Sequence, residues 1–174
     1  VALLLLAPQT ASAQFGNVSL VGTPVSGSSG ATPSSNLTWS HTVDDSVNRL
    51  LVVSISIHRT AGVTPNVNSI SFNAQAMTGI VAATGNSQDN SKRTEIWVLV
   101  APTIGTGTIS VTLSAPGNVV GASYTFASVD QAAPVFNAGN NAAINTPSNA
   151  AAVLAICPSA FAQSAIVDVV ATED

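Results

Sequence analysis

Apolar and polar residues alternate along most of the chain with a period of two, and no long stretch follows the helical period. Leu37, Trp39 and Val43 fall on one face of such a segment, while Thr38 and Ser40 fall on the other. This alternation predicts extended strands that bury one face. Turn residues interrupt the segments about every ten to fifteen residues, a spacing typical of antiparallel sandwiches.

The pattern predicts an all-β fold, an antiparallel β-sandwich of about nine to ten strands. That number exceeds a minimal immunoglobulin-like (Ig-like) sandwich and favours a jelly roll. Residues 50–53 are apolar on both faces, which predicts a central strand covered on both sides at one end. The expected strands are 18–21, 37–43, 50–57, 70–72, 94–100, 109–113, 120–126, 150–156 and 165–171, with weaker candidates at 77–82 and 135–136.

Turn-forming residues mark the expected connections between these strands. A Gly/Ser/Pro/Thr-rich loop is predicted over 22–35 and a polar loop over 85–91. Shorter turns are predicted at 44–46, 105–107 and 116–118.

The first residues resemble the end of a secretory signal. An apolar run at 1–6 precedes Ala11-Ser12-Ala13, whose small residues fit cleavage before Gln14. The only methionine is Met77, so we interpret 1–13 as the remnant of a signal peptide and 14–174 as a single β-sandwich domain. The chain stops at Asp174 just after a strand, which predicts that C-terminal strands are missing.

The apolar run has a second interpretation with a different functional consequence. As a mature terminus, it could complete the sheet of a neighbouring subunit as a donated strand. N-terminal sequencing of the secreted protein separates the two, because a start at Gln14 removes the donor strand.

Composition excludes several classes of function. Charged residues make up 7% of the chain, against about 25% in typical proteins, so Ser, Thr, Asn and Gln must form most of the polar surface. With Lys and Arg totalling 4, nucleic-acid binding is not expected. No apolar stretch reaches the roughly 18 residues of a membrane-spanning helix. Cys157 is the only cysteine, and its expected role is a buried apolar side chain.

Short motifs follow one another in a fixed order at 39–43, 48–53, 69–78, 95–99, 128–131 and 166–170. Together they resemble a β-sandwich (Ig-like or jelly-roll) repeat domain of large secreted or cell-surface bacterial proteins. The resemblance covers about residues 36–172, and implies an extracellular location and partners that are other domains or copies of the same chain. It implies no established catalytic residues.

No catalytic or cofactor-binding residues are predicted. His41 and His58 are the only histidines. His41 shares a strand face with Trp39, which favours a packed, hydrogen-bonded histidine over a general base, and His58 ends a strand at the expected surface. The carboxylates of Asp45, Glu95, Asp130 and Asp168 show no spacing that predicts a glycosidase pair.

Calcium is the one metal with candidate ligands. Asp44, Asp45 and Asp130 lie in predicted loops and could offer hard oxygen ligands with backbone carbonyls. The alternative is that Asp44-Asp45-Ser46 is an ordinary turn.

The preferred functional hypothesis is an extracellular module for display and self-association, in a surface layer, filament or stalk. The alternative is a carbohydrate- or ligand-binding jelly-roll module of a secreted enzyme or adhesin. Trp39, Trp97 and Tyr124 alternate with apolar neighbours, so they are expected in the core rather than on a sugar-stacking surface.

Overall fold

Strands form all the regular secondary structure in the part of the chain that the computed structural model describes, residues 17–59, 64–84, 92–141, 150–156 and 165–171. Every strand pair there is antiparallel, which confirms the predicted all-β sandwich class. The strands are β1 (Ser19–Ser28), β2 (Ser34–Val43), β3 (Leu50–His58), β4 (Val67–Phe72), β5 (Gln75–Ala76), β6 (Thr78–Thr84), β7 (Lys92–Val100), β8 (Gly105–Ala127), β9 (Val135–Asn141), β10 (Ala150–Ile156) and β11 (Ala165–Ala171).

The long strand β8 belongs to both layers of the sandwich. Its first half lies between β2 and β4, and its second half lies between β1 and β3. The strands beside it divide at the same level: β1 and β2 follow one edge of β8, and β3 and β4 follow the other. The sandwich is therefore one antiparallel sheet folded over across its middle.

The fold creates two facing sheets. Sheet A contains β1, the second half of β8, β3, β7 and β6, and sheet B contains β2, the first half of β8, β4 and β5. The main core lies between them and includes Val53 and Ile55 of sheet A with Ile70, Phe72 and Ile109 of sheet B.

A third sheet, sheet C, consists of β9, β10 and β11 and contacts the outer face of sheet A through β3, β6 and β7. Leu50 and Val52 belong to this second core with Val167 of β11, while Leu51 and Val53 belong to the main core. All four residues from Leu50 to Val53 are fully buried, which confirms the prediction that β3 is covered on both sides at one end.

The predicted turn at 116–118 is wrong, because β8 continues through it. The strands on both sides of β8 change at this level, so the chain bends with its neighbours instead of reversing. A Cβ atom on Gly117 would lie 3.2 Å from both Ile57 Cγ2 and Pro65 Cγ. The Pro-Gly-Asn sequence thus marks a crowded bend within a strand.

Two other predicted connections are strand. Most of the predicted loop over 22–35 belongs to β1 and β2, and the predicted turn at 105–107 is the start of β8. β1 contains Pro24 near a break in its register between Val21 and Val25. An edge strand tolerates both features because only one of its edges is paired. The glycines and the proline of residues 22–28 therefore belong to an edge strand rather than to a loop.

The strands predicted at 150–156 and 165–171 have the bounds of β10 and β11. The weaker candidate at 135–136 is longer than predicted and extends to Asn141. The predicted signal remnant, the polar loop over 85–91 and Cys157 lie outside the described residues.

Candidate functional site

Four polar or amphipathic side chains meet between the sheets at the β1–β2 side of the sandwich. Trp39 and His41 come from β2, and Ser123 and Thr125 come from β8. They form the neutral cluster. All are buried, with exposed fractions of 8% for Trp39, 2% for His41, 0% for Ser123 and 1% for Thr125. The structure thus confirms the prediction of a packed, hydrogen-bonded His41.

Hydrogen bonds connect every member of the neutral cluster. Trp39 Nε1 donates to Ser123 Oγ at 3.0 Å. His41 Nδ1 lies 3.0 Å from Ser123 Oγ, and His41 Nε2 lies 2.8 Å from Thr125 Oγ1. Ser123 Oγ also donates to the carbonyl of Val25 in β1 at 3.3 Å. The cluster therefore joins both halves of the folded sheet.

One neutral form of His41 satisfies all these contacts at once. With the proton on Nδ1, His41 and Trp39 both donate to Ser123 Oγ, and the Ser123 hydroxyl donates to Val25. The Thr125 hydroxyl then donates to the bare Nε2. With the proton on Nε2, Ser123 would have to donate to His41 and lose the Val25 contact. The hydrogen-bond pattern favours the Nδ1–H tautomer.

Burial also favours the neutral ring. Desolvation lowers the pKa of His41 below its usual value, and the negative charge of Asp44 opposes this in part. The edge of the His41 ring meets Phe72 of sheet B, with ring centroids 6.3 Å apart. Protonation would place a cation between the two sheets.

The Ser123–His41 pair does not have the geometry of a serine nucleophile and its base. A nucleophilic serine must present Oγ to the substrate. Ser123 is fully buried, and its Oγ contacts Trp39, His41 and Val25. In this arrangement, the Ser123–His41 contact serves to join the sheets.

Two facing glycines make room for the Trp39 indole. Gly27 of β1 and Gly121 of β8 are register partners in sheet A. A Cβ on Gly121 would lie 2.5 Å from Trp39 Cη2, and one on Gly27 would lie 3.0 Å from Trp39 Cβ. Trp39 therefore packs directly on the backbone of the opposite sheet, which confirms its predicted core position.

A second polar group, the charged cluster, lies on β7. Glu95 is 5% exposed, and its carboxylate accepts three N–H donors. Oε1 accepts from Arg93 Nε at 2.6 Å and from the Val67 backbone at 3.0 Å, while Oε2 accepts from Trp97 Nε1 at 3.0 Å. Arg93 also donates to Thr84 Oγ1 at 2.9 Å. Since Val67 begins β4, Glu95 joins sheet A to sheet B.

A cavity of about 460 Å³ opens between β1 and β2, beside the neutral cluster. No ladder joins these two strands within the described residues. The cavity walls carry backbone, hydroxyl and carboxylate groups, with the His41 ring behind them. Its lining residues are Gly22, Thr23, Val25, Ser40, His41, Thr42 and Asp44.

The three candidate calcium ligands face different partners. The Asp45 side chain is 85% exposed, and its Oδ1 lies 4.0 Å from Arg49 Nη1. Asp130 Oδ1 accepts the backbone N–H groups of Ala132 and Ala133, as in an ordinary turn. Asp44 lies beside Gly22 at the cavity. Within the described ranges, no three His, Cys, Asp or Glu side chains come together.

Sequence reasoning placed His41 and Trp39 correctly but missed Ser123, Thr125 and Glu95. Glu95 had a detectable signal, because in the alternating pattern of β7 it lies on the same inward face as Trp97 and Leu99. Ser123 had a weaker one, since it alternates with Tyr124 and Phe126. His58 is exposed at the end of β3, as predicted.

Comparisons with known proteins add no relative: no family model, no curated protein and no solved structure matches the chain. The resemblance to bacterial β-sandwich repeats therefore stays a prediction. Among the described residues, there is also no helix with the length and apolar character required to cross a bilayer.

Proposed function

We propose that this protein is an extracellular structural module whose task is display and self-association, in a surface layer, filament or stalk. The support comes from its two buried polar clusters. The hydroxyls of Ser123 and Thr125, the imidazole of His41 and the carboxylate of Glu95 all take part in hydrogen bonds between layers. Side chains that could do chemistry instead hold sheets together.

The weakly charged surface supports the extracellular part of this proposal. Outward positions of β2 carry Asn36, Thr38, Ser40 and Thr42, all exposed and uncharged. Expression from the complete gene in its native host, followed by N-terminal sequencing of the secreted product, tests export. A product that starts at Gln14 supports the proposal, whereas retention of the whole chain inside the cell contradicts it.

Self-association is tested by sedimentation velocity and negative-stain microscopy over a wide concentration range. We expect oligomers or filaments that grow with protein concentration. A chain that stays monomeric up to about 1 mM, far above the dissociation constants of specific interfaces, would contradict the proposed function.

A ligand-binding module is the second candidate, and the polar cavity between β1 and β2 favours it. Exposed hydroxyls of Thr23, Ser40 and Thr42 surround the cavity, with the Asp44 carboxylate at one end. These groups suit the hydroxyls of a saccharide. The buried Trp39 offers no stacking surface there, so binding would depend on hydrogen bonds.

A glycan array followed by calorimetry tests this second candidate. Binding that is lost in Ser40→Ala and Thr42→Val, but kept in the exposed control Asn36→Ala, would place a saccharide in the cavity. A calcium titration of the thermal midpoint belongs to the same experiment, because Asp44 is a candidate ligand. An unchanged midpoint with calcium and with chelator would end the calcium hypothesis.

A further inference from the structure

The cavity between β1 and β2 lies where two strand edges run side by side with no ladder between them in the described part of the chain. The strands approach each other on both sides of it. A Cβ atom on Gly27 of β1 would lie 3.0 Å from Trp39 Cβ of β2, and one on Gly22 would lie 3.8 Å from the backbone oxygen of Thr42. Between these contacts the register of β1 breaks, from Val21 to Val25, and the cavity opens at this break.

The edge of β2 directs backbone groups into the cavity. Thr108 O of β8 accepts a hydrogen bond from Asn73 N at 3.1 Å, so the Thr108 backbone faces the β4 side. Paired residues of antiparallel strands exchange either both of their hydrogen bonds or none. Ser40, the register partner of Thr108, therefore points its N–H and C=O away from β8. Thr42 does the same, because it lies two residues further along the strand.

Hydroxyl groups add to these backbone donors and acceptors. Thr23, Ser40 and Thr42 line the cavity and are exposed there. The His41 ring forms a wall and not a binding group, because both of its nitrogens are bonded within the neutral cluster. The volume of about 460 Å³ is within the range of roughly 300–1,000 Å³ that small-molecule sites occupy. The lining therefore suits a small ligand rich in hydroxyl groups.

Asp44 is the only acidic residue that lines the cavity. A Cβ atom on Gly22 would lie 2.8 Å from Asp44 Oδ2, so the carboxylate occupies space that a side chain on β1 would otherwise take. Within the described ranges, no protein group forms a hydrogen bond or an ion pair with this carboxylate. Since burial lowers the pKa of His41, the Asp44 carboxylate supplies the formal charge of the lining at neutral pH.

No basic side chain lines the cavity. Lys and Arg total 4 in the whole chain. Arg49 donates to two backbone carbonyls of the neighbouring loops, and Arg59, Lys92 and Arg93 lie beyond the end of β3 and at the start of β7. A negative cavity without a base disfavours ligands that carry carboxylate, phosphate or sulfate groups, and favours a ligand with a positive charge.

An ammonium group fits this single charge better than a calcium ion. Calcium takes roughly 6–8 oxygen ligands, usually with more than one carboxylate, whereas Asp44 is the only carboxylate of the lining. An ammonium group donates several hydrogen bonds, which the carboxylate, a backbone carbonyl and a hydroxyl can accept together. The remaining hydroxyls and backbone groups then suit a polyhydroxylated ring.

We propose that the cavity between β1 and β2 binds a saccharide with a free, protonated amino group. The Asp44 carboxylate holds the ammonium group, and the backbone and hydroxyl groups of Ser40 and Thr42 contact the ring hydroxyls. This inference rests on the second candidate function, ligand binding, and specifies its ligand. It does not depend on self-association.

Two oligosaccharides that differ at the amino group test the proposal. The glucosamine trimer carries free amino groups, whereas in the N-acetylglucosamine trimer they are neutral amides. Calorimetry at about pH 6, below the usual pKa of an amino group, measures both affinities. The wild type should bind the glucosamine trimer about tenfold more tightly, because a hydrogen bond between two charged groups is stronger than one to a neutral amide.

Asp44→Asn keeps the shape of the side chain and removes its charge. It should bind the glucosamine trimer about tenfold more weakly and the acetylated trimer unchanged. Asp45→Asn is the matched control, because it removes the same charge from the next residue, whose side chain is 85% exposed and does not line the cavity. It should bind like the wild type. Ser40→Ala should weaken binding of both trimers, and thermal melting checks that each variant is folded.

The outcomes separate this inference from ligand binding itself. Equal affinity of the wild type for the two trimers, lost in Ser40→Ala, overturns recognition of the amino group and leaves ligand binding standing. A preference for the glucosamine trimer that survives in Asp44→Asn overturns the role of Asp44. If neither trimer binds at about 10 mM, a concentration at which even weak complexes form, the inference fails, and a glycan array without hits then removes the second candidate function as well.

Discussion

The neutral cluster and the charged cluster perform the same task with different chemistry. Each ties sheet A to sheet B through buried hydrogen bonds, the first around Ser123 and the second around Glu95. In the neutral cluster every member is uncharged, so no charge is desolvated. In the charged cluster the Glu95 carboxylate is compensated by Arg93 and two neutral N–H donors.

The difference predicts what each cluster tolerates. A neutral network loses about 0.5–1.5 kcal/mol per hydrogen bond, whereas an uncompensated buried charge costs considerably more. The neutral cluster is sensitive to packing and to protonation of His41. The charged cluster is sensitive to loss of either charged partner.

The largest effect is expected from Glu95→Ala. It leaves the Val67 N–H and Trp97 Nε1 without their acceptor and removes the partner of Arg93. Since the Arg93 side chain is 24% exposed, water compensates part of its charge, and we expect a loss of about 3 kcal/mol in the free energy of unfolding. Urea denaturation measures it. Asp168→Ala is the control, and its free energy of unfolding should lie within about 0.5 kcal/mol of the wild-type value. Equal losses in the two variants would contradict the role of Glu95.

The packing of the neutral cluster is broken by Gly121→Ala. The new methyl group would lie 2.5 Å from Trp39 Cη2, so either the indole or sheet A must shift, at a cost of about 2 kcal/mol. Trp39→Phe shortens the ring and should offset part of that cost in the double variant. Strictly additive effects of the two substitutions would show that they do not meet.

Ser123→Ala isolates the hydrogen bonding of the neutral cluster from its packing. It leaves Trp39 Nε1 and His41 Nδ1 buried without an acceptor, for an expected loss of about 1–2 kcal/mol. Ser40→Ala, on the exposed face of β2, is the matched control and should be close to neutral. A Ser123→Ala variant as stable as this control would mean that the cluster contributes packing alone.

The two clusters also show which features of the molecule can be predicted from the sequence and which cannot. Alternation predicts faces because burial follows the period of the strand, and Leu50–Val53 revealed a doubly covered strand for the same reason. Partners across the sandwich carry no such local signal: Trp39 and Ser123 are separated by 84 residues in sequence. The Pro-Gly-Asn sequence at Gly117 permits either a chain-reversing turn or a bend within a continuous strand. Only the pairing of β8 with β2 and β3 on either side of this position determines which of the two forms, and local sequence does not show that pairing.

The smallest effect, and the one that best distinguishes the clusters, is the pH dependence that His41 introduces. Its pKa is lowered in the folded protein, so as pH falls below about 6.5 the unfolded chain takes up a proton before the folded chain does. Stability is therefore fully present above pH 6.5 and declines as pH falls toward the folded pKa, by at most about 1.4 kcal/mol per pH unit.

Urea denaturation between pH 7.5 and about 5, above the range where most carboxylates titrate, isolates this contribution. His41→Gln should flatten the decline while lowering stability throughout, and the exposed His58→Gln should leave it unchanged. A decline in stability that persists in His41→Gln would assign the pH dependence to another group. The neutral cluster would then no longer be distinguished from the charged cluster by its sensitivity to pH.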